Sequence, residues 1–163
     1  MIDLELREPA HLVSRKARVY WTVRALPGWL LIGAGEVFGL WGGDAPVGVV
    51  AGVAGPTAVI ALAHLIVMPQ WRYRVHRWEI TDGAVYTQAG WFTQERRIAP
   101  ISRVQTVDTQ RGPFEQVFGL SNVTVTTASA RGPIKIHALD VAVADHTVGW
   151  LTDRAQLSGG DGT

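Results

Sequence analysis

The chain has 163 residues, 47% of them hydrophobic and 18% charged, with a formal net charge of +1 and a mean hydropathy of +0.13. That length holds one modest domain and a membrane anchor, and the hydropathy is high for a soluble protein. The absence of cysteine excludes a disulfide framework, a thiolate nucleophile and a cysteine-ligated zinc site, and the near-zero charge argues against nucleic acid as a partner.

Residues 1–24 read as a polar, basic lead-in carrying Arg7, Arg15, Lys16, Arg18 and Arg24. No lysine or arginine follows from Ala25 to Trp71, and then Arg72, Arg74 and Arg77 come in quick succession. Inside the gap lie two apolar runs, 26–41 and 46–68, separated by Gly42-Gly43-Asp44-Ala45. The second run would be about 34 Å long as a helix, enough to cross a hydrocarbon core of about 30 Å. The pattern predicts a two-helix transmembrane hairpin over residues 25–69. The positive-inside bias places it in the cell membrane, with both termini and everything after residue 70 in the cytoplasm. A cleavable signal peptide fits poorly, because the first apolar run starts late and a second span follows it. Tyr20, Trp21, Trp41, Trp71 and Tyr73 at the run ends suit the membrane–water interface, which argues against a buried hairpin in a soluble protein.

The first run contains Pro27 and Glu36; the second opens at Pro46 and is expected to close at Met68-Pro69. Gly35 and Gly39 on the first span and Gly48 and Gly52 on the second recur at four-residue spacing, the pattern that lets helix backbones approach in lipid. A close-packed intrachain hairpin is the first reading, and self-association through a leftover small face is the second. Glu36 and His64 are the polar exceptions, and an intramembrane carboxylate is by default a candidate functional group. Folding the hairpin about residues 43–44 sets His64 opposite residue 23 and Glu36 opposite Ala51, too far apart to act as a proton relay.

After residue 70 the pattern changes to short strands. Trp71, Tyr73 and Val75 alternate with Arg72, Arg74 and His76, and Trp78 and Ile80 continue after a one-residue slip. Asp82-Gly83 marks a tight turn into 85–88, and further strands are expected at 91–98, 102–109, 121–127 and 133–138. A short helical segment is expected at Phe114–Phe118, and a terminal helix carries Ala144, Val148, Leu151 and Ala155 with Asp140 as its N-cap. Residues 70–157 then form one cytoplasmic domain and 158–163 a Gly-rich tail.

Ile98-Ala-Pro-Ile-Ser-Arg-Val-Gln-Thr-Val-Asp108, Arg111-Gly-Pro-Phe and Phe118-Gly-Leu-Ser-Asn-Val-Thr-Val-Thr-Thr-Ala-Ser129 together resemble the bacterial pleckstrin-homology-like domain family, in its membrane-flanked, YdbS-like group. The resemblance implies a transmembrane α-hairpin followed by a mainly-β PH-like barrel of about seven strands with a C-terminal helix. It implies no catalytic residue and no cofactor. Phosphoinositide-binding members of the wider fold use a basic loop between their first two strands. Here that loop is Thr81-Asp82-Gly83-Ala84, short and acidic, which argues against inositol-phosphate recognition.

His11, His64, His76, His137 and His146 lack metal-ligand spacing, and no serine stands in a nucleophile-elbow context. Arg15, Lys16, Arg18, Arg72, Arg74 and Arg77 are candidates for contacting membrane lipid headgroups. The expected role is a non-enzymatic, membrane-anchored interaction module that binds a protein partner of the same family or forms a homo-oligomer. The alternatives are a peripheral anionic-lipid sensor, or a small membrane enzyme or transport subunit using Glu36.

Overall fold

A computed structural model describes residues 8–43, 45–90, 92–129 and 132–160; Arg7, Asp44 of the expected turn and residues 161–163 of the expected tail lie outside the described residues, as does the side chain of Trp41. A two-residue strand β1 (His11–Leu12) leads into helix α1 (Ala17–Trp41), which is followed by α2 (Val47–Val75). Strands β2 (Arg77–Ile80), β3 (Ala84–Ala89) and β4 (Glu95–Pro100) come next. A single 3₁₀ turn, Ile101–Arg103, then leads into β5 (Val104–Gln110). The short helix α3 (Pro113–Phe118), strands β6 (Leu120–Thr127) and β7 (Ile134–Asp140), and the terminal helix α4 (Val141–Gly160) complete the chain.

Both long helices are apolar and long enough to cross a membrane, and helices suit that setting because they satisfy their backbone polar groups internally. They also run further than the apolar runs. The expected break at Met68-Pro69 does not occur, and the expected strand at 71–75 is the last turn of α2. A proline in a helix leaves the carbonyl four residues earlier without its N–H donor. For Pro69 that carbonyl belongs to Leu65, and the Thr22 hydroxyl of α1 donates to it at 3.4 Å while also bonding Arg18 O at 3.0 Å. The helix therefore continues past Pro69, and the one-residue slip in the alternation marks the switch from helix to strand at His76.

The expected closed barrel is instead two antiparallel sheets, β1-β2-β3-β4 and β5-β6-β7. The chain crosses from one sheet to the other through the 3₁₀ turn at Ile101–Arg103, and the two sheets share one core without a hydrogen-bonded ladder between them. Seven strands are present, but one of them, β1, comes from before the hairpin and pairs with β2 through His11↔Trp78 and Leu12↔Arg77. The domain core joins Val85, Ala99, Ile101, Val123, Val125, Ile134 and Ile136 to Ala144 and Leu151 of α4. Burying these side chains contributes about 1.5–3 kcal/mol for each large one, before the entropy of ordering is subtracted. Val104 and Val107 pack against this core while Arg103 and Gln105 face outward, as their alternation implies. Gly119 ends α3 in the left-handed region at φ 64°, where a side chain would be strained.

Candidate functional site

The hairpin is pinned by two polar pairs. Thr57 Oγ1 donates to Glu36 Oε1 at 2.6 Å, and Trp29 Nε1 donates to His64 Nδ1 at 3.0 Å, with the rings 5.7 Å apart. This corrects the expected register: Glu36 lies opposite Thr57 rather than Ala51, and His64 opposite Trp29 rather than residue 23. The two groups take separate partners, so they form no relay with each other. Each pair gives a polar atom in an apolar setting the partner that it needs, since an unsatisfied one costs several kcal/mol there.

The small residues sit elsewhere than expected. Half-buried positions of α1 between residues 22 and 40 include Thr22, Ala25, Trp29, Gly33, Glu36 and Leu40, and those of α2 between residues 50 and 64 are Val50, Ala54, Thr57, Ala61 and His64. Gly35, Gly39, Gly48 and Gly52 are exposed, and a Cβ added at any of them meets nothing within 4 Å. They do not build the intrachain seam. The seam instead follows alternating three- and four-residue steps in which Ala25, Gly33, Ala54 and Ala61 alternate with the paired side chains Trp29, Glu36, Thr57 and His64.

At the foot of the hairpin the helices enter the domain. Ala17, Tyr20 and Trp21 of α1 are buried with Val13, Leu120 and Ala138, and Tyr73, Trp78 and Phe118 pack around them. Tyr20 and Trp21, expected at the lipid interface, are 3% exposed and belong to this second core. Arg24 Nη1 donates to the Tyr20 hydroxyl and that hydroxyl donates to Glu115 Oε1, both at 2.8 Å, while Asn122 Nδ2 donates to the same oxygen at 3.3 Å. Burial would raise the Glu115 carboxyl pKa, but the hydrogen bonds from Tyr20 and Asn122 outweigh it and hold the pKa below its ordinary value. Asn122 Oδ1 also accepts from Ala138 N at 2.9 Å, where a bulge interrupts the β6–β7 ladder and Ala138 adopts φ 53°. That turned backbone presents Ala138 O to Ser14 N at 3.0 Å, tying the lead-in to β7.

Next to this joint His76 caps α2. Its Nδ1 donates to Arg72 O at 2.8 Å, and its ring stands 5.1 Å from Trp21 and 6.2 Å from His137. Burial first, and the nearby Arg72 guanidinium second, push the His76 pKa down to about 4. Burial, Arg72 and Lys135 lower that of His137 in the same way. Both rings are therefore neutral at physiological pH.

The six candidate headgroup contacts divide. Lys16 Nζ pairs with Asp140 at 2.9 Å, which holds that carboxyl below its usual range against the effect of burial. Arg18 lies 4.8 Å from the Tyr73 ring centre and bonds Gln70, and Arg72 lies 4.6 Å from that of Trp21. These three cations stiffen the joint. Arg15 and Arg74 are exposed, and Arg77 is half-buried with its Nε bonded to Arg74 O at 3.4 Å.

A cleft of about 270 Å³ opens at the free edge of the sheets, lined by Arg96, Arg97, Arg103, Thr127 and Ser129 among others. Arg97 spans the seam beside it, bonding Pro133 O at 3.1 Å and Glu95 at 2.7 Å. Among the described residues no group of three or more potential metal ligands is present. Sequence reasoning missed the joint as a structural unit. The signal was there in Val13, Ala17, Tyr20 and Trp21, which follow helical spacing inside the lead-in.

The family model described as Bacterial PH domain matches residues 32–155. The chain is also 29% identical over 113 residues to the UPF0699 transmembrane protein YdbS of Bacillus subtilis (strain 168), covering 69% of this chain and 70% of that one. No solved structure matches.

Proposed function

Because the chain belongs to the bacterial PH domain family, we propose that it is a non-enzymatic module, held at the inner face of the cell membrane by a multi-pass hairpin with both termini in the cytoplasm. There it assembles with copies of itself or with a membrane protein of the same family. The observation that carries this reading is the pair of open glycine faces. Gly35 and Gly39 on α1, and Gly48 and Gly52 on α2, point away from the intrachain seam into open space. Small residues on a lipid-facing helix allow close backbone contact with another helix. The buried joint beneath them fixes the orientation of the domain, so that assembly of the hairpins would set the spacing of the domains.

Native mass measurement in mild detergent or nanodiscs tests the reading. The expected species is a defined oligomer or complex, and Gly39→Leu with Gly52→Leu should shift it toward the monomer by roughly tenfold, at about 1.4 kcal/mol per decade. A strictly monomeric wild-type chain with no bound protein would count against assembly. An enzyme or transport role for Glu36 is less well supported, because that carboxylate is engaged with Thr57. A lipid sensor is less well supported because Lys16, Arg18 and Arg72 already have partners within the chain.

A further inference from the structure

The most exposed large hydrophobic side chain among the described residues is not on either span. It is Phe92, 86% exposed, in the turn between β3 and β4. A single exposed apolar residue needs no explanation by itself; its position on the fold gives it meaning. β2 leaves the end of α2 and β3 returns alongside it, with Gln88 opposite Arg77, one residue beyond the helix cap at His76. The β3–β4 tip therefore lies back at the level of the last turn of α2. The other hairpin tip, around Asp82, lies at the far end of the same strands and is ion-paired to Arg154 of α4 at 2.8 Å.

Heights along the membrane normal agree with this placement. α2 has 29 residues, about 43 Å at ~1.5 Å per residue, whereas the hydrocarbon core is about 30 Å thick and the bilayer with headgroups about 40–45 Å. With its start at the outer edge of the core, the helix ends about 13 Å below the inner edge. β3 runs one residue beyond Gln88 before the turn at Gly90, so the tip stands on the membrane side of the helix end. Its shape is set by Gly90, at φ 106°, where an added Cβ would come within 1.9 Å of Thr93 O. Arg74 in the last turn of α2 is exposed, and Arg96, which bonds Gln88 and lies 3.6 Å from Glu8, opens β4 at the same end of the sheet. Aromatic and basic side chains at one end of a domain are the composition that the membrane–water interface favours.

We propose that the β3–β4 tip is a second membrane contact, in which Phe92 enters the headgroup–acyl boundary of the leaflet where α2 exits. This inference rests on the membrane-anchored reading above. The contact would add a third point to the two helix feet and fix the tilt of the domain against the bilayer.

The cysteine-free sequence permits a direct test with single cysteines carrying an environment-sensitive fluorophore in the full chain, reconstituted in vesicles of phosphatidylethanolamine and phosphatidylglycerol. Three sites are compared: Phe92→Cys at the tip, Leu31→Cys on an exposed face of α1, and Asp82→Cys at the far hairpin. Lipid-borne spin labels should quench Leu31→Cys strongly and Phe92→Cys at least about twofold more than Asp82→Cys, with blue-shifted emission at both quenched sites. Aqueous iodide should show the reverse order. Phe92→Cys behaving like Asp82→Cys while Leu31→Cys stays lipid-quenched overturns the tip contact and leaves the anchor standing. A blue shift at Phe92→Cys without lipid quenching means that protein covers the tip, and also overturns it. Iodide quenching at Leu31→Cys would remove the membrane reading itself.

Discussion

His76 shows how much one residue is asked to do at the joint. It caps α2 through Arg72 O and packs on Trp21 and His137, and burial together with the Arg72 charge keeps its ring neutral. Its pKa is about 4 in the folded chain against about 6.5 when unfolded. Above pH 6.5 both states are neutral there and the residue has no pH effect. Between 6.5 and 4 the unfolded chain binds the proton and the folded chain does not, so stability falls as the pH drops through that window. At about 1.4 kcal/mol per pH unit, the loss from this group reaches a few kcal/mol by pH 4. Urea unfolding of the detergent-solubilised protein at pH 7.5 and 5.0 measures it, and His76→Phe should reduce the dependence in this window to the part that His137 contributes. Glu115 and Asp140, whose pKa values are lowered, lose their contributions only in stronger acid. Tyr20→Phe is expected to cost about 1–2 kcal/mol, because it removes the hydroxyl linking Arg24 to Glu115.

Elements were legible in the sequence wherever one period ruled. The strands near 84–89, 104–110, 120–127 and 134–140, the helical turn at 113–118 and the terminal helix all lie close to their expected places. Gly119 holds the left-handed backbone at the end of α3, and Gly119→Ala should cost about 1 kcal/mol in a thermal melt. What misled was local pattern overridden by distant contact. Met68-Pro69 reads as a stop, but Thr22, 43 residues away, satisfies the carbonyl that the proline leaves bare. Thr22→Val should expose that deficit, lowering stability by about 1–3 kcal/mol, with amide exchange rising first in residues 65–75. The glycine spacing likewise signalled close approach without saying which helix would approach. Trp29, Glu36, Thr57 and His64 settled the intrachain seam, and their pairing is invisible to a count of small residues. Sheet closure was equally out of reach, since alternation shows which face of a strand is buried but not which strand edges pair.

At the scale of the whole molecule, the domain is assembled from both sides of its own anchor. β1, Val13, Ala17, Tyr20 and Trp21 precede the hairpin, while the strands and core residues they pack on follow it. A fragment of residues 70–163 alone should therefore behave as a loosened domain, with Leu120 and Ala138 uncovered, and bind hydrophobic dyes. Replacing residues 25–66 by a short flexible loop keeps both helix feet, and should give a soluble domain with a cooperative melt; failure of that variant to fold would show that the seam higher in the hairpin is also required. Reporter fusions at Asp44 and Thr163 should fall on opposite sides of the membrane. The split carries a consequence for biogenesis. During synthesis β1 and the foot of α1 emerge first and have nothing to pair with until β2, β6 and β7 arrive after the second span. In the membrane-anchored reading, completion of the domain waits on insertion of both helices, and a chain in which only one of them inserted would keep its N-terminal foot from the rest of its core. A finished domain core would then itself report that both spans are in place.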